Sequence, residues 1–81
     1  YWRRASVFRM RGEADRALAD CDSAVRLDPG NAYAWVERGL AHKLRNEIPE
    51  AIEDIERALR IAPAGFGWRE ATEALLKELR R

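Results

Sequence analysis

Between Trp35 and Leu44, the residues Trp35, Gly39, Leu40, Ala41 and Leu44 recur along one helical face, with polar residues between them. The pattern breaks at RNEIP, residues 45–49. It resumes as Ala51, Ile52, Ile55, Ala58, Leu59 and Ile61, a second apolar stripe of helical period. Asn31 stands where a helix needs a cap, because its side chain accepts from the free amides of the first turn. Pro49 suits the first turn of the second helix, where a missing N–H costs nothing. Pro63 ends that helix, since the residue before a proline is pushed out of the α region. Two helices joined by a tight turn are predicted.

The beginning of the chain states the same plan. Sliding residues 1–31 onto 35–65 without a gap gives identities at Arg4/Arg38, Arg11/Arg45, Glu13/Glu47, Ala17/Ala51, Asp20/Asp54, Ala24/Ala58, Arg26/Arg60 and Pro29/Pro63. Tyr1/Trp35, Ala5/Gly39, Met10/Leu44, Leu18/Ile52, Asp22/Glu56, Val25/Leu59 and Leu27/Ile61 are conservative pairs. Such self-similarity over a 34-residue step marks an internal repeat. Gly12 and Asn46 hold the same place in the inner turns, and both tolerate the positive φ that such a turn needs. Ala5/Gly39, Ala17/Ala51 and Ala24/Ala58 keep side chains short where helix axes approach closely. Tyr1/Trp35, Phe8/His42, Leu18/Ile52 and Leu27/Ile61 are expected to fill the spaces between. One hairpin cannot bury both of its faces, so the units are expected to stack.

The 34-residue period, the aromatic followed by Gly or Ala in the first helix, the Ala-x6-Ala of the second and the closing Asp-Pro or Ala-Pro resemble the tetratricopeptide repeat family. Residues 32–65 are similar to a complete repeat, and residues 1–31 to one lacking its first three positions. The resemblance implies an all-α fold, an α-α superhelix of antiparallel helix hairpins. The last segment departs from the pattern, because Trp68 stands one residue too early for the family's first aromatic. It carries an amphipathic stripe instead: Trp68, Ala71, Thr72, Leu75, Leu76 and Leu79, opposite a charged face. Within residues 66–81 a helix over 67–80 is predicted, the fifth in the chain, capping the second repeat as the ends of repeat arrays require. Arg80 and Arg81 suit the negative end of its dipole.

Composition narrows the function classes. Eighty-one residues make one small domain with a thin core. Fifteen basic residues against fourteen acidic ones leave a net charge of +1, with the signs interleaved, which argues against a nucleic-acid partner. No apolar run approaches the roughly 20 residues that cross a bilayer, so no membrane partner is expected. One cysteine excludes an internal disulfide, and one histidine excludes a His-rich metal site. Thirteen arginines against two lysines are compatible with a bacterial source of high GC content. The chain opens at Tyr1 without an initiator Met, which reads as a piece of something longer.

No catalytic constellation is expected. His42 takes the place of Phe8, so its ring is expected to pack between helices. Cys21 aligns with Ile55 and is expected to be a buried apolar residue. Asp20, Asp22, Glu53, Asp54 and Glu56 read as a solvated charged face. The i,i+4 pairs Glu53/Arg57, Glu56/Arg60, Asp22/Arg26 and Glu73/Lys77 are each worth about 0.2–0.5 kcal/mol. No phosphate loop, metal-ligand spacing or nucleophile motif occurs, so no cofactor and no enzymatic activity are expected.

What the resemblance implies instead is a concave groove, lined by the first helix of each repeat, that takes an extended peptide or a partner helix. Positions matching the family's groove are Trp2, Ser6 and Arg9 in the first repeat and Tyr33, Val36, Leu40 and Lys43 in the second, with Arg3 and Glu37 at the margin. Apolar area beside the cationic Arg9 and Lys43 predicts a ligand with apolar anchors and one or two acidic groups. A subset of the family clamps the carboxylate of chaperone tails. The matching places here are Trp2, Ser6, Glu37, Gly67 and Ala71, which lack the needed cations, so that subclass is disfavoured. The alternative function is self-association or intramolecular packing, because a first helix carrying Tyr1, Ala5, Val7 and Phe8 without an upstream neighbour leaves apolar surface open.

Overall fold

The computed structural model describes all 81 residues and contains five α-helices and no strand. These are α1 (Trp2–Met10), α2 (Ala14–Leu27), α3 (Ala32–Leu44), α4 (Ile48–Ile61) and α5 (Arg69–Leu79). Helix α1 packs on α2, α2 on α3, α3 on α4 and α4 on α5, and α1 also reaches α3. Neighbours in sequence are therefore neighbours in space, as stacking of hairpins requires.

The two inner turns are superimposable in chemistry. Gly12 and Asn46 adopt φ of 80° and 62°. In each turn the following glutamate donates its backbone N–H back into the first helix, Glu13 to the Phe8 carbonyl and Glu47 to the His42 carbonyl, both at 2.8 Å. Asn31 caps α3, its Oδ1 accepting from the Tyr33 N–H at 3.1 Å. Pro49 lies in the first turn of α4, and Ala62 before Pro63 turns extended to end that helix.

The core divides into two clusters. Ala5, Ala17, Leu18, Cys21 and Ala41 form one, with Phe8 packed against it. Ala51, Ile55, Ala58 and Val36 belong to the other, which continues through Phe66 to Leu79 of α5. At the narrowest crossing in the second hairpin, a Cβ on Gly39 would stand 2.7 Å from Ile55 Cδ1 and 3.2 Å from the Ala51 carbonyl oxygen. In the first hairpin the corresponding residues are Ala5 and Cys21. The small and large partners have exchanged volume, and both crossings are fully buried.

Several expectations are corrected. Asp20 and Asp54 are buried, not solvated. Asp20 accepts two hydrogen bonds from Arg4, each 2.7 Å. Arg38 Nε stands 3.6 Å from Asp54 Oδ2 and 3.2 Å from Asp22 Oδ1. None of the four predicted i,i+4 pairs closes; Glu56 meets Arg80 and Asp22 meets Arg38 on other helices instead. Ala5 is buried rather than left open, being covered by the neighbouring helices. Tyr1 and Leu27 are exposed, unlike their counterparts Trp35 and Ile61. Ile61 packs on the cluster that holds Phe66, whereas the residue 34 places before Phe66 is Ala32, which has no ring to offer. Trp35 donates its indole N–H to the Pro29 carbonyl at 2.9 Å. The fifth helix is shorter than the predicted 67–80, since Gly67 and Trp68 belong to the turn that precedes it.

Candidate interaction groove

Val36 and Leu40 lie one turn apart on α3, and Ala71 and Leu75 one turn apart on α5. Both pairs face an open cleft of about 580 Å³ between these two helices. Trp68 stands at one end and Glu78 is among the last residues at the other. Arg9 reaches the cleft from α1, so first helices from all three successive units contribute to it.

Charged groups at the cleft are already matched. Arg9 donates from Nε and Nη2 to the two carboxylate oxygens of Glu37 at 2.9 and 3.3 Å, a fork-to-fork pair between α1 and α3. Glu37 is almost wholly buried, at 2% exposure, so this bond neutralises a charge that burial makes costly. Lys43 Nζ donates to Glu78 Oε1 at 3.4 Å across the far end. Both cationic ends thus have an acidic partner within the chain.

Aromatic residues at the starts of the first helices form a rim. Trp2 stacks on Tyr33 with centroids 5.3 Å apart, and Trp68 meets both edge-on at 5.4 and 4.6 Å. Phe66 lies beneath Tyr33, whose hydroxyl accepts from the Gly67 N–H at 3.3 Å. Such pairs add about 0.5–1.5 kcal/mol each beyond the area they bury. Arg3 sits over the Trp2 ring at 5.5 Å.

Of the residues expected in the groove, Arg9, Val36 and Leu40 line the cleft, with the marginal Glu37 beside them. Trp2 and Tyr33 belong to the rim, and Lys43 to the ion pair at the far end. Ser6 is half-buried on α1 and outside the lining. Sequence reasoning missed the α5 wall: Trp68, Ala71, Leu75 and Glu78. Its signal was a stripe broad enough for two neighbours. Thr72 and Leu79 are buried in the body of the fold, while Ala71 stays open to the cleft.

Neither Cys21 nor His42 lines the cleft. Cys21 is buried, and burial pushes its thiol up to about 12. His42 packs between helices as expected, with Nδ1 2.9 Å from Glu47 Oε1 and Nε2 3.6 Å from Asp54 Oδ2. The hydrogen bond to His42 holds the Glu47 carboxyl below its usual range. No three metal-ligating side chains converge.

The pattern of the tetratricopeptide repeat family matches residues 6–80. The chain belongs to the tetratricopeptide repeat family. That match runs through α5, so the segment that departs from the repeat in its aromatic spacing still falls inside the family pattern. The chain is 40% identical over 47 residues to sperm-associated antigen 1 of Mus musculus, covering 58% of the chain and 5% of that protein. It is 33% identical over 60 residues to tetratricopeptide repeat protein 34 of Homo sapiens, covering 74% and 11%. With DnaJ homolog subfamily C member 3 of Homo sapiens it shares 30% over 77 residues, covering 95% and 15%. The chain thus spans a small part of the length of each of these relatives. No solved structure matches it. Membership of this repeat family makes the chain a protein–protein interaction module.

Proposed function

We propose that this tetratricopeptide repeat segment is a non-catalytic scaffold that receives a peptide or helix of a protein partner in the cleft between α3 and α5. The observation that carries the reading is the cleft itself, where Leu40, Ala71 and Leu75 line an opening whose floor is the buried Val36. Clefts lined by apolar side chains with a few polar groups at their margins are the usual sites of recognition. A free chaperone-tail carboxylate is a poor occupant, because Glu37 holds the guanidinium of Arg9 and no other cation faces the floor.

Leu40→Asp tests the proposal. It is expected to abolish capture of the native partner by the full-length parent protein while circular dichroism stays helical. Normal capture by a folded Leu40→Asp protein sinks the groove assignment. Self-association is the second reading, favoured by Val7 and Met10, exposed one turn apart on α1. Sedimentation across a range of concentrations decides it, since a strict monomer removes it.

A further inference from the structure

Across the cleft, α3 and α5 are tied at both ends. At one end Tyr33 meets Trp68 edge-on, with centroids 4.6 Å apart and ring planes at 88°, and its hydroxyl accepts from the Gly67 N–H at 3.3 Å. At the other, Lys43 Nζ donates to Glu78 Oε1 at 3.4 Å. Between these ties the walls part around an opening of about 580 Å³. Helix α5 itself rests on α4, with Leu79 seated in the cluster that holds Ile55 and Ala58.

A helix resting on one neighbour has no fixed tilt, because crossing angles within one packing class scatter by about 15–20°. From Trp68 to Glu78 the wall runs ten residue steps, or about 15 Å. With Leu79 as the pivot, a tilt of about 15° swings the start of α5 by about 4 Å. That is about the separation of two carbon atoms in contact, the margin between admitting a side chain and excluding it. A contact off the line of α4 must set the tilt.

Of the two ties, the ion pair is the weaker. Its side chains are 39% and 61% exposed, so water and salt screen it, and it sits beside the pivot, where it has little leverage. Tyr33 is braced instead. Trp2 of the first hairpin stacks on it at 5.3 Å, and the buried Phe66 lies at 4.7 Å. A Cβ on Gly67 would stand 3.3 Å from its hydroxyl oxygen, so the turn before α5 fits closely against this side chain. The ring thereby carries the positions of α1 and α3 to the start of α5.

We infer that Tyr33 is the positioning residue of the cleft: its ring fixes the tilt of α5 on α4, and with it the width that a ligand meets. The inference rests on the groove reading for the use of that width. The test reads the spacing itself, so its failure leaves the groove reading to stand or fall by Leu40→Asp.

The measurement is paramagnetic line broadening in the 15N-labelled chain, with a nitroxide on α5 at the exposed Glu70→Cys and the buried Cys21 left unlabelled. Broadening falls steeply with distance. Tyr33→Ala is expected to cut it roughly twofold or more at the amides of Val36 and Glu37 on α3, and to leave it unchanged at Ala58 and Leu59 on α4. Lys43→Ala is expected to keep the wild-type pattern at all four.

Wild-type broadening at Val36 and Glu37 in a folded Tyr33→Ala chain means that the packing on α4 alone sets the width, and overturns the inference. An equal loss in Lys43→Ala hands the role to the ion pair and overturns it as well. Should Tyr33→Ala cut the broadening on α4 too, α5 has come away, and Tyr33→Leu, which keeps an apolar side chain without the ring, takes its place. A wild-type pattern in Tyr33→Leu then overturns the role of the ring, and a loss confined to α3 upholds it.

Discussion

The two hairpins share an inner turn, an Arg/Asp pair and a close helix crossing, yet they settle each of the last two differently. In the first, Arg4 grips Asp20 with two bonds, and Phe8 occupies the adjoining place. In the second, Arg38 lies between Asp54 and Asp22 of the preceding hairpin, and His42 stands where Phe8 was. The hydrogen bonds from Arg4 hold the Asp20 carboxyl below the usual range. Burial pushes Asp54 up to about 6 despite Arg38 and His42 nearby. A repeated residue therefore does not carry a repeated proton affinity. The difference follows from which neighbours the stacking brings: Arg4 for Asp20, but Arg38, His42 and Asp22 for Asp54.

The largest expected break in the comparison is at the crossings. Ile55→Ala opens a cavity in a fully buried site and is expected to cost about 3 kcal/mol, whereas the equivalent Cys21→Ala costs about 1 kcal/mol. Urea unfolding of both variants measures the contrast, and equal losses would mean that the second hairpin relaxes around its cavity. Next in size is Gly39→Ala, whose added methyl meets Ile55 and the Ala51 carbonyl. Overpacking outweighs the gain in helix propensity, leaving a net loss of about 1.5 kcal/mol. Adding Ile55→Val to it removes the nearest clashing atom. The double variant is expected to be at least as stable as Gly39→Ala, a coupling that a double-mutant cycle reads directly.

The smallest effect is electrostatic. Asp54 has a higher pKa folded than its ordinary 3.8, so the folded state holds its proton more tightly. Its contribution to stability is full below pH 3.8 and is lost as pH rises through about 6. Between pH 5 and 7.5 this amounts to a loss of about 1 kcal/mol. Arg38, His42, Asp22 and Glu53 surround the group, so the comparison is wild type against Asp54→Asn, in which the slope flattens. Asp20 works in the opposite sense, its stabilisation being present above pH 3.8 and lost as pH falls. An unchanged slope in Asp54→Asn would mean that Asp54 does not carry the pH dependence.

Most of the fold was legible because it is written twice. The period, both inner turns, the Asn31 cap and the end of α4 rest on local chemistry that a single residue declares. The burial of Asp20 and Asp54 was hidden, although Arg4/Arg38 and Asp20/Asp54 all repeat. Opposite charges recurring together 16 residues apart pointed to a pair across a hairpin, but acids and arginines interleaved along both second helices read as one solvated face. The cleft was half legible. Val36, Leu40 and Arg9 follow from the repeat, while the α5 wall lies in the segment that departs from it. Trp2 and Tyr33 were read as ligand-facing because their mutual stacking depends on how two hairpins are set against each other.

Cys21 gives the chain a silent clock. Burial leaves the Cys21 thiol inaccessible and pushes its pKa up to about 12, so an alkylating reagent waits for the first hairpin to open. The rate at which label accumulates then counts how often α1, α2 and α3 part company, and a second cysteine engineered on the surface accepts a dye without interference from the first.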